Sequence, residues 1–586
     1  MRLILKMLSR SDVYFKLYKH ACDDKDFDLA FGFLEKGLCE SPNDYNFLIE
    51  LMKCRVKTST PPHISVVIKD AENAFLADPT QLEPYTFILP ILVQNNLPEA
   101  EEWVERALIA FPENTEILNL AGVFNMNKNI KKSRKYFQMC IAQDPLNHIH
   151  HYNCGSTYVQ DLEFLHDSDD KSIWHFKTAL ENKPDWIIAK QALAGAYIKH
   201  SRFKEALEID GEGDPKIEAL QIEARWRSCT TLNVDYDELI SRIINDKGLL
   251  GSVLKNQTGY FEALLDYERA EKAYRHVYEF RDDYFGANTF MWKDASLGIG
   301  QFLCKIGKWD EGLPIMAESF QSNNERDFPE WDGCSTIDHL VILNQQLGNG
   351  DQMFFSRYVP YAASKAVKTT LVVNQNVLHM YHNMKDINLI TSECKGDAWI
   401  ECSHLIKFFG TVPMYDFIPT PPRNAKSGKA ILHLKSSKHN PLLNYRRDVP
   451  FEFVKNVLEC EKWKWLCVAP QDETHSNLID ISETIDKGPD SFKDTMKLLT
   501  EVDFVITCDT FMAHLAGLMK CPCILILSTL CEYRWGCEKY SYQWYPTMTV
   551  IRQKEWGTWS PLSLTDVETH LAKLGPDGHT TRCEGQ

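Results

Sequence analysis

The stretch "VDFVITCDTFMAHLAG", Val502 to Gly517, decides how the second half of the chain is read. Val502, Phe504, Val505 and Ile506 form a short β-branched and aromatic run, whereas Met512, Leu515, Leu518 and Met519 recur at helical spacing, so the stretch predicts a strand, a tight turn and a helix. Cys508, Asp509 and Thr510 then lie at the carboxyl end of a strand. In open α/β sheets ligands bind there, because the first backbone N–H groups of the following helix have no intrahelical partner and favour an anion.

The same texture recurs around it. "HLVILNQ", "TTLVVNQ", "AILHLK", "WLCVAP" and "CILILS" are short, continuous apolar runs separated by helical stretches, the pattern of buried parallel strands in alternating β and α units. A proline-rich, basic segment, "PTPPRNAKSGKA" at 419–430, divides this half into two lobes. Two lobes joined by a linker make a cleft, and ligands prefer such interfaces.

The first half repeats. Pro42, Pro79, Pro112, Pro145, Pro184 and Pro215 each close an apolar helical stretch, at intervals of 37, 33, 33, 39 and 31 residues. A period near 34 with proline after the second helix is the signature of a tetratricopeptide array. In "LNLAGVFNMNKNIKKSRKYFQMCIAQDP", Leu120, Ala121 and Phe124 on one helix face Ser133, Phe137 and Cys140 on the next. A later pair of helical stretches is broken at Gly307, the repeats between 215 and 290 are degenerate, and "FLHDSDDKS" reads as a solvated insertion. The expected fold is therefore an all-helical tetratricopeptide-like solenoid over 1–325, a first α/β lobe over 326–420, a second over 421–575, and a flexible tail over 576–586.

Composition narrows the class. Of 586 residues 44% are hydrophobic and 25% charged, which is ordinary for a folded protein. The formal net charge of -17 gives no bulk attraction to nucleic acid or anionic membrane. No apolar run reaches the roughly 18 residues a membrane span needs, so a cytoplasmic protein is expected. The 18 cysteines contain no C-x-x-C pair, and Cys521 and Cys523 are too close for a zinc knuckle, so reduced thiols and no metal site are expected.

Candidate chemistry gathers at the strand ends. After "HLVILNQQ", Gly348 and Gly350 allow a tight turn and a close backbone approach, and Asp351 either caps the following helix or faces the cleft as a general base. In the second lobe Asp509 is placed to cap a helix, Thr510 can offer its N–H and hydroxyl to a phosphate, and His514, one turn on, is either a donor to a ligand oxygen or a half-buried core residue. Lys435, Lys438, Arg446 and Arg447 follow the strand "AILHLK", and Arg534 stands in "CEYRWGCEKY"; these are the candidate cations for an anionic ligand.

Taken together, "PEWDG" at 329–333, "LGNGDQMFFSRYVPYAA" at 347–363, "DSFKDTMKLLTEVDFVITCDTFMAHLAGLMKCP" at 490–522 and "YRWGCEKYSYQWYPTMTVIRQ" at 533–553 resemble the glycosyltransferase domain that follows tetratricopeptide repeats in many bacterial proteins. That domain is similar to the heptosyltransferases, which have two Rossmann-like lobes in the GT-B arrangement. The resemblance implies an acceptor on the first lobe's side, a nucleotide-sugar donor held mainly by the second lobe, no cofactor or metal, and inversion at the anomeric carbon. It places Asp351 as the base and Asp509, Thr510 and His514 at donor sugar and diphosphate. Asn349 stands where the family has an apolar residue, and Leu434 to Ser437 lack its tryptophan and Gly-Asn pair.

The expected function is transfer of a sugar from a nucleotide-sugar to a protein or other macromolecule presented by the solenoid, with no nucleic-acid partner. The alternative is a non-catalytic repeat scaffold carrying a degenerate glycosyltransferase-like domain.

Overall fold

A computed structural model describes residues 9–574 apart from 59–62, 161–170, 231–234, 288, 321–326, 346, 393, 411–415, 419, 421–426, 437–444, 470–472 and 540–543. Most of the expected insertion, most of the 419–430 linker and the expected tail lie outside the described residues. The chain forms two compact units, residues 1–196 and 197–586.

The first unit is a succession of helices, from Arg10–Asp23 and Phe27–Glu40 to Ile130–Gln143, His148–Gln160 and Lys171–Asn182, with short turns at the described connections such as those after Asp23 and Gln143. Local signals set their ends. Asp26, Asn114 and Asn129 accept backbone N–H groups at helix starts. Pro42, Pro79, Pro112, Pro145 and Pro184 each follow a helix that they cannot continue. Packing follows the small-against-large pattern of tetratricopeptide hairpins: Ala121, Ser133, Phe137 and Cys140 are fully buried, and the Ser133 hydroxyl donates to the Gly122 carbonyl at 2.7 Å. At Gly122 an added Cβ would sit 2.5 Å from the Phe137 ring, so glycine is what lets the two helices approach.

Pro215 departs from the expected pattern. It opens the helix Pro215–Arg227, with the Asp214 side chain capping its first turn, because proline's missing N–H is harmless at the first helical position. The change of texture near 325 is not where the compact units part either. Helices from 203 onward pack on the sheets: Trp226, Leu239, Val253 and Tyr260 share a core with Leu530 and Trp556, and the Trp556 indole donates to the Trp226 carbonyl at 2.8 Å. The segment 215–290 forms further helices, Lys247–Ala263 and Tyr267–Glu279 among them. As expected, Gly307, at φ 88°, breaks Phe290–Lys305 from Trp309–Glu318.

Two all-parallel sheets follow. β1 (Ile337–Leu343), β2 (Ala366–Val372), β3 (Ile387–Ile390) and β4 (Ala398–Glu401) lie in the order β3-β2-β1-β4. β5 (Lys429–His433), β6 (Lys464–Cys467), β7 (Leu478–Asp480), β8 (Phe504–Cys508), β9 (Cys523–Leu527) and β10 (Met548–Arg552) lie in the order β10-β9-β8-β5-β6-β7. Counted from β5, this is the 3-2-1-4-5-6 order of a doubly wound dinucleotide-type sheet. The six apolar runs are β1, β2, β5, β6, β8 and β9. One core runs through both sheets, including Leu340 and Ile342 of the first and Val505 and Leu525 of the second. Among the described residues no helix is long and apolar enough to cross a membrane.

Candidate functional site

Strand order in the larger sheet reverses between β5 and β8, so its crevice lies outside His433 and Cys508. The smaller sheet reverses between β1 and β4. From the carboxyl end of β1 the chain enters the helix Asn349–Phe355, which packs directly on the helix Phe511–Leu518. The gap expected between two linked lobes is closed at this point. Gly350 makes the contact: a Cβ there would lie 3.2 Å from His514 Cδ2 and 3.3 Å from Phe511 Cα, so its close approach is to protein. Gly348 has φ -59° and ψ 152°, and the turn does not demand glycine there.

Asp351 makes no cap hydrogen bond among the described residues; its carboxylate, 39% exposed, takes Arg534 Nη1 at 2.5 Å. Arg534 is buried, lies 4.9 Å from the Phe354 ring and reaches Glu532 at 3.6 Å. Glu532 Oε1 also accepts Arg446 Nη2 at 3.0 Å and Arg447 Nη2 at 2.6 Å. Burial alone would raise the Glu532 carboxyl, but Arg446, Arg534 and Arg447 outweigh it and hold it well below the usual carboxylate range. Burial likewise opposes the charge on Arg534, yet Asp351 and Glu532 keep its guanidinium above its ordinary value. The Nε atoms of Arg446, Arg447 and Arg534 are buried without a hydrogen-bond partner among the described residues.

Asp509 belongs to the same network and does not cap the helix. It accepts the Trp535 indole N–H at 2.7 Å and the Glu532 backbone N–H at 3.4 Å. Thr510 holds the N-cap position, and its hydroxyl faces His433 Nδ1 at 3.3 Å and the Cys508 carbonyl at 3.4 Å. His514 is enclosed: its ring stacks on Trp535 at 5.2 Å, Nδ1 meets the Tyr545 hydroxyl at 2.9 Å, and Phe354 packs edge-on. Burial, then the charges of Arg534, Arg357 and Arg447, push its pKa far below the usual histidine value. These are the surroundings of a core imidazole.

The structure thus gathers Asp351, Arg446, Arg447, Asp509 and Arg534, while Lys435 pairs with Asp448 at 3.8 Å. Lys438 lies outside the described residues. Two members went unassigned in the sequence. Glu532, two residues before Arg534, is the shared acceptor, and His433, buried at the end of β5 with its pKa pushed down to about 4 by burial, lies at the switch point. The signals were a lone acid in "CEYRWG" and a histidine inside the apolar run "AILHLK". Chemically, the cluster sets three guanidinium groups, Arg446, Arg447 and Arg534, against the carboxylates of Glu532, Asp509 and Asp351, with Asp351 at its partly exposed edge.

No protein-family model matches the chain. No curated protein matches it either. Among solved structures, YrrB, titled a tetratricopeptide protein with an unusual peptide-binding site, is 19% identical, covers 30% of this chain and 89% of its own, and has a TM-score of 0.27. A tetratricopeptide repeat protein from Parabacteroides merdae is 12% identical over 49% of this chain and 96% of its own, with a TM-score of 0.31. MamA from Desulfovibrio magneticus is 14% identical over 31% and 98%, with a TM-score of 0.27. At these TM-scores the likeness carries no argument; the repeat fold rests on the hairpins described above.

Proposed function

We propose that the chain is a glycosyltransferase of GT-B type, similar to the heptosyltransferases, that moves a sugar from a nucleotide-sugar donor to an acceptor bound by its helical repeats. The observation that carries this reading is the convergence of Arg446, Arg447 and Arg534 at the switch point of the larger sheet, beside the carboxylate of Asp351. Inverting transfer is a single displacement. The acceptor hydroxyl oxygen bonds to the anomeric carbon as the bond to the diphosphate breaks, a base takes the hydroxyl proton, and the departing diphosphate needs positive charge. Asp351 is the base on this reading and the arginines meet the diphosphate without a metal. Buried guanidinium N–H groups lacking acceptors also favour an oxygen-rich ligand. Repeat solenoids present extended surfaces suited to macromolecular acceptors.

A second reading, a non-catalytic scaffold, is favoured by the Asp351–Arg534 pair, which occupies the base, and by the aromatic enclosure of His514. Thermal-shift measurements against UDP-, GDP-, ADP- and CMP-sugars separate the two, because a ligand that binds only the folded state must raise Tm. A shift for one donor class that Arg447→Gln abolishes supports the enzyme. No shift with any donor at about millimolar concentration, which for a site of micromolar affinity corresponds to several kcal/mol of expected stabilisation, supports the scaffold.

A further inference from the structure

A cavity of about 640 Å³, with none of Asp351, Arg446, Arg447 and Arg534 in its lining, lies between the helical hairpins and the carboxyl ends of β9 and β10. Leu265, just before the helix Tyr267–Glu279, and Tyr267, which opens it, form an apolar wall with Ile306, and Thr529, just past β9, and Arg552, ending β10, stand among the residues that complete it. Lys308 stands exposed among its lining residues. The volume is that of sites taking drug-sized molecules, which span about 300–1,000 Å³.

Two features of the lining ask for a ligand with an anionic end. Thr529 is 4% exposed, and its hydroxyl has no hydrogen-bond partner among the described residues, although a buried hydroxyl is normally satisfied. The Arg552 guanidinium donates to the carbonyls of Gly536 and Trp535 and is in no ion pair among the described residues. The acids nearby are engaged: Glu271 with Lys308, Glu268 with Lys272, and Glu538 with Lys554. Arg552 is thus left without an acid partner among the described residues, beside an apolar wall.

We infer that this cavity is a binding site for a small amphipathic anion, a flat ring system against Leu265, Tyr267 and Ile306 whose carboxylate, sulfonate or phosphate meets Arg552 and accepts from Thr529. The inference does not rest on the glycosyltransferase reading. The loop that walls the cavity with Cys531 and Cys537 carries Glu532 and Arg534 between them, so an occupant touches the same backbone as the arginine network.

The probe is 1-anilinonaphthalene-8-sulfonate, an aryl anion whose fluorescence rises in apolar surroundings, titrated into the folded full-length chain. Saturable binding at one site is expected. Thr529→Val keeps the shape and removes a hydroxyl without a hydrogen-bond partner among the described residues, so Tm holds while affinity falls about fivefold, the worth of one hydrogen bond. Lys308→Gln, at an exposed lining position, removes a positive charge beside the cavity and weakens binding severalfold, with Tm of the same variant checking that the fold holds. Absence of saturable binding, or two variants that both bind as the unmodified chain does, overturns the site.

Discussion

Arg534 Nη1 lies 2.5 Å from Asp351 Oδ1, joining side chains 183 positions apart and closing the space between the two sheets' strand ends. The pair is asymmetric: Arg534 is 6% exposed and Asp351 39%. Arg534→Ala strips a buried charge from Glu532 and should destabilise by about 3 kcal/mol, whereas Asp351→Asn, at the wet end, should cost less than about 1 kcal/mol. Urea unfolding measures both, and equal losses would contradict the asymmetry.

Asp351→Asn is also the sharpest test of its proposed role. As a general base its loss lowers turnover by about 10²–10⁴-fold while donor-induced Tm shifts persist. Unchanged turnover removes Asp351 from the chemistry.

Stability should fall on acidification. His433 is buried and its pKa is pushed down to about 4, against about 6.5 in the unfolded chain. The unfolded state therefore takes a proton first as pH drops through 6.5, and stability is lost progressively until about pH 4. At pH 5 the loss from this histidine is about 2 kcal/mol, and His433→Gln should make the fall from pH 7 to 5 shallower by that amount. An identical slope in the variant would show that His433 titrates normally.

Gly122→Ala gains helix propensity of about 1 kcal/mol but drives a Cβ to within 2.5 Å of Phe137, which is fully buried and has nowhere to turn. Overpacking of this kind costs about 1–3 kcal/mol, so a net loss of stability is expected, relieved when Phe137→Leu is added. A more stable single variant would mean the helices can part without penalty.

Lys305, 2% exposed, donates to Glu262 at 2.6 Å and to the Thr529 carbonyl at 3.0 Å, tying the helix Phe290–Lys305 to the loop after β9. Lys305→Met leaves Glu262 without its cation and should lower stability by about 3–5 kcal/mol. Adding Glu262→Gln should recover much of that loss; a double variant as unstable as the single would assign the effect to the Thr529 contact instead.

The strands show what sequence could and could not reveal. β1, β2, β5, β6, β8 and β9 were legible, because all six are interior to a sheet and interior parallel strands are covered on both faces, so their residues read as unbroken apolar runs. β3, β4, β7 and β10 were not, and all four are sheet edges. Edge strands such as Leu478–Asp480 are short and partly exposed, which erases the pattern.

For the site, sequence by itself determined the strand–turn–helix around Asp509 and the candidate residues at strand ends, because local periodicity and turn chemistry are encoded within a few residues. It equally determined the helical repeats through proline spacing and helix caps. What the tertiary structure alone decided is partnership. Whether Asp351 caps a helix or faces a cation, whether His514 is wet or walled in by Trp535 and Tyr545, and which acid collects the arginines all depend on contacts across long stretches of chain. Such contacts leave no local signal, since burial and charge pairing are properties of the packed core.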